Sequence, residues 1–176
     1  ESNIMMIALN NNKLKSNINY RTKFKMILTN QNRIEDFTRQ GWWGDDTLYS
    51  LFLDALDKCS AQEALVDPKN RQTITGDAPK RLTFQEVNET VERYASIFFE
   101  QGLRKDDIVI IQLPNVVELP MVYLALSKLG VISSPIPMQY GAYEIEAIIE
   151  EVSPQAYITI QSFNGNAHAE KFSSIF

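Results

Sequence analysis

A chain of 176 residues, 44% of them hydrophobic, is long enough to bury one good core. Its net charge of −5 lacks the basic footprint a nucleic-acid binder needs to displace counterions. With one cysteine, Cys59, and one histidine, His168, there is no intrachain disulfide and no Cys/His metal spacing, which fits a reducing cytoplasm.

Residues 1–30 read as a mobile or loosely docked extension, rich in Asn and poor in apolar periodicity. In it Lys13, Lys15, Arg21, Lys23 and Lys25 face only Glu1. "IMMIAL" (4–9) is too short for a signal-peptide core and has no basic stretch before it. Residues 31–176 read as one α/β unit. A short helix is expected within 31–43, with Ile34 and Phe37 on one face, before "GWWGDD". Two adjacent tryptophans between glycines could form a ligand platform. The plainer expectation is that they pin a loop to the domain surface, because rings bring much apolar area at low entropy cost. Thr47 is placed to N-cap a helix through Leu51, Leu53 and Leu56, with Phe52 alongside.

"EALVD" (63–67) and "QTITG" (72–76) read as two strands joined by the turn-forming "PKNR". Thr83 and Glu86 then make a capping-box pattern. Val87, Val91, Tyr94, Ile97 and Phe98 recur at helical spacing, and Gly102 offers a stop. "DIVIIQL" (107–113) is nearly all apolar, as a strand covered on both faces should be. Pro114-Asn115 breaks it, and a helix from Val116 to Lys128 comes next, with Pro120 near its first turn and Gly130 beyond its end. Strand 131–136, helix 143–152 and strand 155–160 complete the rhythm. This alternation predicts a layered parallel α/β sheet with covering helices. The most apolar run, "VVELPMVYLALSKLGVI", carries Glu118 and Lys128 and falls short of a membrane span.

The same sequence is poor in chemistry. The loops after the first two strands of the sheet, "PNVVE" and "PMQYGAY", contain one glycine, Gly141, and the seven glycines of the chain nowhere make a phosphate cradle. This argues against a self-contained nucleotide site, including a Rossmann-type dinucleotide binder. His168, in "NGNAHAEK", is expected to be a solvated loop residue, and neither it nor Cys59 sits in a nucleophile motif. Asp45-Asp46, Asp106-Asp107 and Glu150-Glu151 read as solvated surface, since adjacent side chains point in different directions. The expected site inventory is therefore: catalytic residues none, cofactor-binding residues none, metal ligands none.

From about Gly41 onward the chain resembles the N-terminal part of the AMP-forming adenylate-forming enzymes, the superfamily of acyl-CoA synthetases, aryl-acid ligases and peptide-synthetase adenylation domains. "LTFQEV" (82–87) is similar to the first core motif L-[TS]-Y-x-E-L, with Phe84 for Tyr and Val87 for the last Leu. "GLRKDDIVIIQLPNVVELPMVYLALSKLG" (102–130) matches the family's run of basic-acidic loop, apolar strand, Pro-Asn and a helix ending in Lys-x-Gly; Asp106 stands where the family often has Gly. "SKLGVISSPIP" (127–137) is similar to K-A-G-x-x-x-x-P-[LI]-[DN], with Leu129 for Ala and Pro137 at the last position. "PIPMQYGAYEI" (135–145) looks most like the acyl-CoA synthetase branch, whereas "GWWGDDTLYSLF" is similar to aryl-acid ligases.

The resemblance implies that residues 31–176 are an N-terminal subdomain, ending at "KFSSIF" before the family's Ser/Thr/Gly-rich phosphate loop, as if cut within a domain. It implies a cytoplasmic ligase that uses ATP, Mg²⁺ and coenzyme A to activate a carboxylic acid, fatty or aryl, with the rest of its own domain as partner. Two alternatives stand beside it: an acyl-AMP ligase that loads a carrier protein, and a non-catalytic α/β partner-binding module. No family catalytic residue has a matching position, so none is carried over.

Overall fold

The computed structural model describes residues 4–8, 29–172 and 175. The basic cluster expected at Lys13 to Lys25 lies outside them. The centre is a four-stranded sheet formed by β1 (Ile4–Ala8), β4 (Ile108–Gln112), β5 (Ile132–Pro135) and β6 (Ala156–Ile160), in the order β1-β6-β4-β5. β4 runs parallel to both β5 and β6, while β1 closes the β6 edge in antiparallel register, Ile4 opposite Ile160 and Ala8 opposite Ala156. That edge strand comes from the segment read as an extension, where six consecutive apolar residues, 4–9, offered no strand-defining alternation.

Side chains of β4 and β6 alternate between two cores. Val109, Ile111, Ala156, Ile158 and Ile160 face α4 (Phe84–Glu100) and α5 (Glu118–Leu129). Ile110 and Tyr157 face Ile145 of α6 (Ala142–Val152) and Phe172. Helices thus cover both faces, which explains why β4 reads as an unbroken apolar run.

Local signals set the helix boundaries. Thr83 accepts from the Glu86 amide at 3.3 Å and Glu86 returns the bond to Thr83 N–H at 2.8 Å, closing the capping box that starts α4. Thr47 and Ser50 cap α2 (Leu48–Cys59) in the same reciprocal way. Gly130 ends α5 at φ +69°, and a Cβ there would meet Lys105 Cγ at 3.0 Å, so the Lys-x-Gly ending is a matter of backbone and packing. Lys128, the Lys of that motif, pairs with Glu92, which also accepts from the Tyr49 hydroxyl at 2.6 Å; these contacts tie α2 to α4 and α5.

Two expectations fail here. Residues 71–75 form a short helix, α3 (Arg71–Thr75), instead of a strand. The strand that pairs with β2 (Glu63–Val66) is β3 (Arg81–Thr83), which lies beyond "QTITG". The β-branched residues Thr73, Ile74 and Thr75 suggested extended backbone, but burial of the Arg71 side chain draws the segment into a turn of helix. The second concerns "GWWGDD". α1 (Gln31–Arg39) ends with Gly41 at φ +72°, and the amides of Trp42 and Trp43 donate back to Phe37 O at 2.9 and 3.3 Å. Both indoles pack on the Phe37 ring, with centroids 5.3 and 5.0 Å away, yet Trp42 stays 66% exposed. The tryptophans fasten the end of their own helix; they are not buried in the domain surface.

Candidate functional site

In parallel α/β sheets ligands gather at the carboxyl ends of the strands. At that end of β4 two buried polar constructions meet the chain, one ionic and one neutral.

The ionic one joins β2, α3 and the start of α5. Arg71 and Asp67 are one helical turn apart, and both are buried. The Arg71 guanidinium donates to Asp67 Oδ2 at 2.8 Å and forks onto Glu118, at 2.7 Å to Oε2 and 2.9 Å to Oε1. Lys80 Nζ reaches Glu118 Oε1 at 2.7 Å. Asp67 Oδ1 accepts the Val117 amide at 2.9 Å, so a carboxylate fifty residues upstream caps the N-terminus of α5. Burial alone would raise the Glu118 carboxyl, but the bonds from Arg71 and Lys80 more than offset it and hold it below the ordinary carboxylate value. The helix end that would attract a phosphate therefore already holds anions of this chain.

The neutral construction centres on Gln112, the last residue of β4 and fully buried. Its amide nitrogen donates to Pro137 O at 2.8 Å and Tyr140 O at 3.1 Å, which leaves its oxygen as acceptor. That oxygen takes the Tyr157 hydroxyl and lies 3.2 Å from His168 Nε2, so Nε2 carries the hydrogen. Thr159 Oγ1 donates to the Gln112 carbonyl at 3.0 Å. Burial pushes the Tyr157 hydroxyl up to about 12, against a smaller opposing effect from Thr159. One side chain thereby fastens the turn after β5, strand β6 and the segment that carries His168.

His168 corrects the expectation of a solvated residue: it is only 5% exposed, edge-on to Phe163 and Phe172. A sequence-local reading saw its polar neighbours, whereas β7 (Ser162–Phe163) and β8 (Asn166–Ala167) form a hairpin that turns it inward. Cys59 ends α2 on the α4–α5 side, while His168 packs on Phe172 in the core under α6. Asp45, Asp46, Glu150 and Glu151 are exposed, and Asp106 and Asp107 are half-buried in a turn where Asp107 Oδ2 accepts the Arg104 amide at 2.7 Å. Among the described residues no three His, Cys, Asp or Glu side chains are grouped to hold a metal ion, and no helix is long and apolar enough to cross a membrane. The clamp escaped sequence reasoning because its members lie far apart. Its signals were the Asp67–Arg71 spacing and Glu118 interrupting an apolar run.

A mixed α/β sheet covered by helices on both faces, with a carboxyl end built as scaffold, is the class these features define. Residues 55–175 match the family of AMP-binding enzymes, and the chain belongs to that family. Pseudomonine synthase PmsE of Pseudomonas entomophila is 27% identical over 82% of this chain and 23% of its own length. Acetyl-coenzyme A synthetase of Rubrobacter xylanophilus is 32% identical over 44% of this chain and 12% of its length. Long-chain-fatty-acid–CoA ligase FadD13 of Mycobacterium tuberculosis is 27% identical over 55% and 19%. The chain thus spans less than a quarter of these relatives. Among solved structures, Mycobacterium smegmatis MbtA in its apo form shares the fold over 73% of this chain and 23% of its own, at TM-score 0.60 and 23% identity. The inhibitor-bound N-terminal domain of FACL13 from Mycobacterium tuberculosis does so over 63% and 26%, at TM-score 0.56 and 22% identity.

Proposed function

We propose that the protein containing this chain is a cytoplasmic, ATP-dependent, AMP-forming ligase that makes an acyl-coenzyme A from a fatty or aryl acid. In this reading residues 31–176 form the N-terminal part of its adenylation domain. The acid's carboxylate oxygen attacks the α-phosphorus of Mg²⁺-bound ATP and pyrophosphate leaves; the thiolate of coenzyme A then attacks the acyl carbon and AMP leaves. The observation that carries this is the family match over 55–175 together with coenzyme A ligases among the relatives. The residues of this chain do not fit the nucleotide themselves, since the α5 N-terminus is capped by Asp67 and continues into the paired Glu118. Their part is scaffold: a sheet, its covering helices and two fastened loops.

A second reading, transfer to a carrier-protein thiol, is favoured by one observation. The pseudomonine synthase match covers 82% of this chain, against 44% and 55% for the two coenzyme A enzymes. Acid-dependent exchange of labelled pyrophosphate into ATP tests the shared first step, using fatty and aryl acids in turn. Exchange with one acid class supports the ligase, and none with any carboxylic acid overturns it. Offering coenzyme A and a phosphopantetheinylated carrier protein side by side then separates the acceptors. The 176-residue chain alone is expected to bind no ATP, and saturable micromolar binding would overturn the scaffold assignment.

A further inference from the structure

Strand order β6-β4-β5 places a topological switch point between β6 and β4, because the chain leaves β4 for β5 on one side and returns through α6 to β6 on the other. Loops diverge at such a point and leave a crevice outside the carboxyl ends of the strands. At the same carboxyl end of the sheet, between the turn after β5 and the segment after β6, lies a cleft of about 460 Å³, inside the range of roughly 300–1,000 Å³ found for small-molecule sites. One wall is the turn after β5, with Met138 and Gly141; the other is the β7–β8 hairpin and its C-terminal flank, with Phe163, Asn164, Asn166 and His168.

Three features define which ligand would fit. Among the described residues, the lining carries no Asp, Glu, Lys or Arg side chain. On the α6 wall the Gly141 amide is already taken by Glu144 Oε2 at 2.9 Å, so an anion finds a carboxylate in its way. The inner end is aromatic, with His168 edge-on to Phe163 at 5.8 Å and to Phe172 at 5.1 Å between centroids, while the rim offers the side-chain amides of Gln139, Asn164 and Asn166. The walls are also braced: Gln112 bonds Pro137 O and Tyr140 O on one side and His168 on the other, so the cleft has its shape before any ligand arrives.

We infer that this cleft is a binding site for a neutral planar ligand, an aromatic ring bearing an amide or hydroxyl edge. The ring lies against Met138 and Phe163, and the polar edge exchanges hydrogen bonds with the Asn and Gln amides. An anionic analogue is rejected, because the lining supplies no cation to replace its hydration and Glu144 stands at the α6 wall. The inference does not depend on the ligase reading.

Benzamide is the probe, titrated into the full chain while the side-chain amide signals of Asn164 and Asn166 are monitored by NMR. Saturable shifts with a dissociation constant of about 1 mM are expected for a ligand of this size. Benzoate, the same ring with a charge, should bind about tenfold or more weakly. Asn166→Ala, at an exposed position, should weaken benzamide about threefold, and Phe163→Leu should abolish the shifts by removing the ring at similar volume. No saturable shift by about 10 mM benzamide, equal binding of benzoate, or unchanged binding in both variants would each overturn the site. If Phe163→Leu loses its native spectrum, Asn166→Ala and the benzoate comparison still decide.

Discussion

The two polar constructions at the end of β4 do similar mechanical work with opposite chemistry. The Asp67–Arg71–Glu118 clamp fastens the β2–β3 lobe to α5 with ionised groups, and the Gln112 hub fastens the turn after β5 to the β7–β8 hairpin with neutral ones. A buried charge is tolerable only while its partners remain, whereas a neutral amide losing a partner costs one or two hydrogen bonds. The clamp should therefore be the more brittle of the two, and the one that feels pH.

Removing the clamp's cation should give the largest effect. Arg71→Met leaves the Asp67 and Glu118 carboxylates buried against an apolar side chain, and we expect a loss of about 3–5 kcal/mol in urea denaturation. Arg71→Lys keeps the charge without the fork and should fall in between, which preserves the test if the Met variant has no folded baseline. A loss below about 1 kcal/mol for Arg71→Met would mean that the lobe is held by its apolar contacts instead.

Gln112→Leu comes next. It removes one partner each from the Tyr157 hydroxyl, His168 Nε2 and the Pro137 and Tyr140 carbonyls, at an expected cost of about 2–3 kcal/mol. It should also speed hydrogen exchange of the His168 amide, which donates to Gln161 O at 2.7 Å, more than that of the Val117 amide. Equal acceleration at both sites would show that the two constructions are one cooperative unit.

The smallest effect has the opposite sign. Asp106 adopts φ +69°, its amide donates to Gly130 O at 2.9 Å, and its carboxylate makes only an exposed pair with Lys105 at 3.2 Å. Asp106→Gly should stabilise the chain by up to about 1 kcal/mol in the same denaturation experiment, because glycine takes that conformation without a Cβ penalty. A destabilisation would assign the carboxylate a role that its geometry does not suggest.

That glycine position shows how the sequence spoke. The resemblance marked Asp106 as a departure from a family glycine, and the left-handed backbone supplies the reason. Helices with local punctuation, such as α2 behind Thr47 and α4 behind Thr83, were legible because caps act within one turn. Strands β4 and β6 were legible because burial on both faces leaves a largely apolar run, whereas half-buried β5 carries two serines and was marked by its flanking Gly130 and prolines. The helix at Arg71–Thr75 was not, since its conformation depends on where Arg71 finds its carboxylates, 47 residues away at Glu118. His168 misled for the same reason: neighbours in sequence are polar, and neighbours in space are Phe163, Phe172 and Gln112. Gln112 itself was visible only as the single polar residue in a buried strand, a signal without a partner until the loops were in place.

The contrast between an ionic and a neutral fastening is tested most directly by stability against pH for the native chain, Arg71→Met and Gln112→Leu. The Glu118 carboxyl is held low in the folded state, so its contribution is present above the unfolded carboxylate value, about 4.3, and is lost as pH falls through the lower folded one. The stability gap between native chain and Arg71→Met should accordingly shrink as pH drops from about 5 to below 4, a window set below the ordinary histidine value of about 6.5 because the hub includes His168, while the gap to Gln112→Leu stays constant across it. A constant gap for Arg71→Met, or parallel shrinkage of both gaps, would contradict the assignment of charge to one fastening alone.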